Sequence, residues 1–295
     1  MAVLGASGGG GALPQITISR SQTWIAPQAG NICIHVIGGG GSGSISLYTG
    51  AAFYNTAGAG AGYCKKNSLA VSSGDSFTIV VGGGGDSRIG ADNSSANHQY
   101  GGTGGNSTVA GPGLSATLTA NGGQAGFKGD SPYYNQASAG GTASGGDVNN
   151  QGGGGRMGGG GAVGIYGTGV AGNNLRSNTY GATCLGGTSD AGGYDGVFDS
   201  ASSGYGQIIG GRGGIGMNTS SPMQKQNMQV EDGGFLCGGG SFMIPGVAPS
   251  SYNKQWAGNG GTGGGGGCIG AHTGNSSSLQ SGRGGNGIVL IQYLP

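Results

Sequence analysis

Ten carboxylates and three histidines, His35, His98 and His272, supply nearly all the acid–base chemistry open to this chain of 295 residues. Asp195 with Asp199, or Glu231 with Asp232, has the residue types for the paired carboxylates of glycoside hydrolysis, but both pairs lie among polar residues that fix no separation. A Ser-His-Asp set can be drawn on paper, yet no Gly-x-Ser-x-Gly elbow occurs in a strand-to-helix setting. His35 falls inside a strand pattern and reads as structural. Matches to Gly-x-Gly-x-x-Gly are many, carry no information in so glycine-rich a chain, and are not followed by Gly-Lys-Ser/Thr to make a phosphate loop. The sequence therefore points away from an enzyme and calls for no cofactor.

Sulphur adds little. Cys33, Cys64, Cys184, Cys237 and Cys268 are odd in number, so at least one thiol is unpaired, and they show no CxxC, CxxxC or histidine-linked zinc spacing. Cys33 and Cys64 read as buried thiols in strands, while a disulfide among the other three is left open. No metal site is expected.

Recognition is the better prospect, because aromatics appear where glycine gives way: at 47–54, 133–134, 180–205 and 217–256. Tyr133, Tyr134, Tyr194, Phe198, Tyr205, Tyr252 and Trp256 are flanked by Asn, Asp, Ser and Gln. Rigid aromatic platforms among adaptable polar groups are the mixture that recognition loops use, and they suit sugars or the loops of outer-membrane proteins. Each ring taken singly could instead plug the end of a glycine bundle that has no side chains to cap it. Seven together exceed what capping needs.

What must hold such loops is a chain in which 80 residues are glycine. Glycine loses the most backbone entropy on folding and buries almost no side chain, so the chain either stays disordered or packs backbone against backbone. Short strand patterns at 16–19, 31–37, 44–48, 75–81 and 115–120 argue for order. Within 31–37, Ile32, Ile34 and Val36 share one face and Cys33, His35 and Ile37 the other. The closing run from Ile288 to Pro295 is the most apolar in the chain and reads as a strand buried on both faces, closing the sheet that the N-terminal third begins. Glycine also permits a three-residue helix of the polyproline II type, whose neighbours approach closely enough for backbone hydrogen bonds. Runs such as 57–62, 82–85, 152–155, 158–161, 238–240 and 263–267 are short enough to be single rods of such a bundle.

The expected fold is all-β, with almost no α-helix: a β-sandwich over 15–120, completed by 286–295, carrying an inserted glycine-rich polyglycine II bundle with recognition loops at 121–285. Residues 1–14 are either a flexible start or a docking peptide. Charged residues make up only 7% of the chain and the net charge is +1, which removes the electrostatic footprint of a nucleic-acid binder. No apolar stretch approaches the roughly 18 residues needed to span a membrane, and the first residues lack the basic and apolar regions of a signal peptide. An extracellular-looking chain without an export signal fits a virus particle assembled in the host cytoplasm and released by lysis.

The run from Thr23 to Gly30 (TWIAPQAG), followed by Ile32 to Gly41 (ICIHVIGGGG), resembles the opening of the glycine-rich domain found in many bacteriophage tail fibre and bacterial surface proteins. Leu69 to Gly85 is similar to that family's second hairpin, Asn106 to Val109 with Leu118 to Gly123 to its middle, and Gly284 to Tyr293 to its closing strand. Such domains are similar to the glycine-rich region of the anaplastic lymphoma kinase receptor, in which a TNF-like, jelly-roll-like sandwich carries polyglycine helices, and to the tip adhesins of T-even-like phages. The resemblance implies a virion protein at a tail fibre tip that binds a host cell-surface receptor, glycan or outer-membrane protein, beside other tail fibre proteins. A homotrimer, common among TNF-like sandwiches, is one assembly that the resemblance leaves open. No counterpart of the fibre-attachment domain of T-even-like adhesins precedes the sandwich. A structural virion component, connector or decoration protein, is the alternative; an ice-binding protein would need a regular Thr or Ala face that the loops do not offer.

Overall fold

Where apolar and polar residues alternate, the computed structural model forms strands whose apolar sides turn inward. It describes residues 15–48, 56–90, 98–127, 137–156, 159–160, 168–169, 171–172, 217–218, 228–229, 232–233, 236–239, 242–243, 255–272 and 279–295. In chain order the strands are β1 (Gln15–Ile18), β2 (Gln22–Ile25), β3 (Gly30–Ile37), β4 (Ile45–Tyr48), β5 (Tyr63–Val71), β6 (Ser76–Val80), β7 (Ile89–Gly90), β8 (His98–Gln99), β9 (Ser107–Ala110) and β10 (Leu118–Ala120). There follow β11 (Ala143–Ser144), β12 (Val148–Asn150), β13 (Met217–Asn218), β14 (Met228–Gln229), β15 (Phe242–Met243), β16 (Gln255–Trp256), β17 (Ile269–His272), β18 (Leu279–Gln280) and β19 (Ile288–Tyr293). The described residues contain no helix, so the fold is all-β.

Two antiparallel sheets, in the orders β1-β19-β3-β5-β12 and β11-β10-β9-β6-β2, form the sandwich. Ile32, Ile34, Val36, Val289 and Ile291 from one sheet meet Phe77, Ile79, Val109 and Leu118 from the other in a single core. Phe77 is fully buried, its ring tilted on Trp24 with centroids 5.5 Å apart.

Three expectations need correction. The closing strand is central, paired with β1 and β3, but Val289, Ile291 and Tyr293 are buried while Gln292 is exposed, so only one face is fully covered. The outer face of its sheet is shielded only in part, by a cluster of Ile37, Tyr63 and Leu236 with Val148 and Ile288 against it. Residues 69–81 do not form a hairpin, because β5 and β6 lie in different sheets. The turn between them, closed by Asp75 N–H to Ser72 O at 3.1 Å with Gly74 at φ 92°, is a corner of the sandwich. The strand at 44–48 exists as β4 but pairs in parallel with β17, outside the sandwich.

The glycine runs are rods, and their hydrogen bonds repeat every third residue as the polyglycine II helix requires. Along 38–44, residues 38, 41 and 44 donate to Gly62, Ala59 and Thr56; 39 and 42 donate to Gly105 and Gly102; 40 and 43 donate to Gly285 and Gly282. The same rod accepts from Gly85, Gly123, Gly126 and Gly266, which belong to three further rods. Six neighbours thus surround it, three as acceptors and three as donors. The rod 56–62 has an equivalent set: it donates to 121–127, 151–156 and 263–266 and accepts from 38–44, Gly141 and Gly160. Such packing is hexagonal. A Cβ at Gly40, Gly58 or Gly265 would run into the carbonyl of Gly264, Gly41 or Gly58, which is why these positions are glycine.

Rods and sandwich strands alternate along the chain more closely than a division near residue 120 describes. The rods 38–44, 56–62, 82–87 and 100–106 fall between early strands, while β11 and β12, from the later part, pair with β10 and β5 at the sandwich edges. Where a rod lacks a neighbour, a side chain takes the backbone's place: Asn106 Oδ1 accepts from Gly122 N–H, Asn286 Oδ1 from Gly84 N–H and Ser107 Oγ from Gly82 N–H, each at 2.9 Å.

Candidate functional site

Several rods end in short strands away from the sandwich. The rods 38–44, 82–87 and 263–268 run into β4, β7 and β17, and β8 and β18 lead back into 100–106 and 281–287. These strands build two small sheets across the bundle's end, β13-β15-β17-β4-β8 and β14-β16-β18-β7.

In the second sheet the register sets Trp256 opposite Gln280 and Gln280 opposite Ile89, so the three residues share one face. Their alternates Leu279 and Gly90 are buried, which places that face outward. Ile89 is 66% exposed, and Trp256 and Gln280 are half-buried. Arg88, just before Ile89, donates from Nε to Tyr100 O at 2.7 Å and from Nη2 to Gly101 O at 3.3 Å, and its own N–H donates to Ser281 Oγ at 2.9 Å. Tyr100 is 60% exposed. Gln280 Nε2 is 3.2 Å from Ser87 Oγ. The outward face of this sheet thus carries one indole, one amide and one aliphatic chain, while Arg88, opposite the buried Ser281, turns to the other face toward the carbonyls of residues 100 and 101.

Of the seven aromatics singled out in the sequence, Trp256 stands on this surface. Tyr133, Tyr134, Tyr194, Phe198, Tyr205 and Tyr252 lie outside the described residues. Sequence reasoning passed over Arg88, Ile89, Tyr100 and Gln280. The criterion that found Trp256, an aromatic where glycine gives way, applies equally to Tyr100; Arg88, Ile89 and Gln280 carry no such signal.

A second constellation lies on the outer face of β3. His35 Nδ1 is 2.7 Å from Tyr63 Oη and its Nε2 is 3.3 Å from Cys33 Sγ. The order thiol, imidazole, orienting hydroxyl has the outline of a nucleophile with its base. The electrostatics oppose that use. Burial, reinforced by the Lys65 ammonium, pushes His35 down to about 4, and burial raises the Cys33 thiol above its ordinary value. At neutral pH the imidazole is uncharged and the thiol keeps its proton, so the three groups tie β3 to β5. Cys33 and Cys64 are buried free thiols; Cys237 and Cys268 are buried, and Cys184 lies outside the described residues. Among the described residues no three His, Cys, Asp or Glu side chains are grouped to hold a metal ion.

The His35 cluster sets an acid limit. Its folded value of about 4 lies below the free value of 6.5, so between these the unfolded chain binds a proton that the folded chain refuses. Stability is therefore expected to be flat above pH 6.5 and to fall toward pH 4, by about 1–2 kcal/mol from this group after allowing for solvent screening at the partly exposed ring. Melting temperatures of the wild type and His35→Gln across pH 4–7 check this: the variant should lose part of the slope, and an unchanged slope would assign the acid sensitivity elsewhere.

A sandwich whose inter-strand connections are hexagonally packed rods of glycine defines a glycine-rich β-domain. The family model described as glycine-rich domain matches residues 16–294, and the chain belongs to that family. None of the curated proteins matches it.

Proposed function

We propose that this glycine-rich domain is a bacteriophage virion protein, the adhesin at a tail fibre tip, which recognises a glycan or outer-membrane protein on the host cell surface. The observation that carries the reading is the contrast along the rods. Their interiors offer a partner almost no side chains, while the end remote from the sandwich carries Trp256, Ile89 and Tyr100 on a backbone held by closely spaced hydrogen bonds. A rigid support with aromatic and amide groups at one end suits recognition at low entropic cost. Other tail fibre proteins meet the sandwich end in this reading, and a homotrimer assembles through the sandwiches.

Purified, fluorescently labelled protein incubated with a panel of bacterial strains should bind a subset of them. A folded variant carrying Tyr133→Ala, Tyr134→Ala, Tyr252→Ala and Trp256→Ala should lose at least tenfold in binding. Absence of binding to every strain would replace the adhesin by a structural virion component.

A further inference from the structure

We infer that the outward row Trp256–Gln280–Ile89 is a binding site for a neutral oligosaccharide, recognised through its hydroxyls and the C–H face of a sugar ring. The inference rests on the adhesin reading and names the chemistry recognised.

Size, spare hydrogen-bonding capacity and charge each narrow the ligand. Adjacent strands lie ~4.8 Å apart, so the row from Trp256 on β16 across Gln280 on β18 to Ile89 on β7 spans about 10 Å at the width of one side chain. That is room for a short oligosaccharide and falls far short of the roughly 800 Å² that each partner gives to a stable protein interface. The indole supplies a flat platform for the C–H face of a sugar ring, and Ile89 extends it. Trp256 is half-buried, yet its Nε1–H has no hydrogen-bond partner among the described residues, although an indole in such surroundings ordinarily finds an acceptor. That donor is open to a ligand. Ser87, two residues before Ile89, lies on the same side as Gln280, and the 3.2 Å bond between Gln280 Nε2 and Ser87 Oγ uses one donor and one acceptor. The amide and the hydroxyl together keep further donors and acceptors to spare. A sugar hydroxyl both donates and accepts, whereas an ionised carboxylate only accepts, so this mixed set matches hydroxyls. Charge agrees: β7, β16 and β18 contain no charged residue, and the Arg88 guanidinium is engaged on the other face by the carbonyls of Tyr100 and Gly101. An anion on this row would lose its hydration without gaining a cationic partner.

The test titrates the full chain with maltotriose, chitotriose and mannotriose as neutral probes and with trigalacturonate as the acidic one, read by calorimetry and by indole fluorescence, with Trp256→Phe separating Trp256 from Trp24. A saturable response to at least one neutral trisaccharide is expected, changed less than about twofold by 0.5 M salt, with trigalacturonate severalfold weaker. Trp256→Ala and Gln280→Ala should each weaken binding at least tenfold, and Ile89→Ser severalfold. Saturation by none of the neutral probes, equal or tighter binding of trigalacturonate, or an unaffected Gln280→Ala overturns the inference. If Trp256→Ala fails to fold, Gln280→Ala and Ile89→Ser, which change side chains at least partly exposed, decide by the same criterion. Strain binding that survives in the Gln280→Ala and Ile89→Ser variants removes the glycan row and leaves the adhesin; neutral-sugar binding without strain binding does the reverse.

Discussion

Gly265→Val is expected to destabilise the protein by more than about 4 kcal/mol, lowering its melting temperature by roughly 10 °C or more. A Cβ at this position meets the Gly58 carbonyl, and neither rod can retreat. Gly265 donates to Gly160 O at 2.8 Å and accepts from Gly239 N–H at 2.8 Å, while Gly58 donates to Gly266 O at 2.9 Å. Moving the rods apart breaks several such bonds between buried backbone groups. The control is Gly83, where an added Cβ meets nothing within 4 Å and the residue is exposed. Gly83→Ala is expected to be neutral or to stabilise by up to about 1 kcal/mol through the unfolded chain. Calorimetric unfolding of both variants checks the contrast, and equal effects would sink the backbone-packed bundle.

Phe77→Ala is expected to cost about 3–5 kcal/mol, and its effect should reach the bundle. The ring is fully buried, meets Trp24, and lies so close to Gly111 that a Cβ there would overlap it. Rods and strands alternate in one chain, so losing the sandwich releases the rod ends that β3, β5, β6 and β19 fix. Amide exchange should then accelerate together in β3 and in the rods 38–44 and 56–62. Rod amides that keep their protection while β3 loses it would show that the bundle stands alone.

The sandwich was legible where period-two patterns met turn residues. Ile32, Ile34 and Val36 turned inward as their spacing required, and the closing strand joined β3. The rods were legible as glycine runs, since only glycine permits the approach seen between Gly40 and Gly264. Partner choice was not legible: Gly85 and Gly123 look alike in sequence, yet one donates to Gly40 and the other to Gly39. The turn Ser72–Asp75 serves a hairpin or a corner equally well, and the sheet that each flanking strand joins is decided by contacts far along the chain. Strands of two residues, such as β7 and β16, are too short to carry a pattern, so the row from Trp256 to Ile89 emerged only once their register was known. His35 carried more signal: a lone histidine in a strand reads as structural, and its bond to Tyr63 accords with that.

The three-residue repeat of the rods bears on how such a gene tolerates insertions and deletions. Adding or removing one codon in a run rotates the rest of that rod by about 120° and hands each carbonyl to the wrong neighbour. A change of three codons restores the azimuth and slides the rod by about 9 Å, one full turn, with the surplus or deficit absorbed at its ends. Length variation among descendants of this sequence should therefore come in triplets of residues within the rods and without such phasing between them. The end remote from the sandwich can thus diversify in length while the lattice beneath it keeps its register.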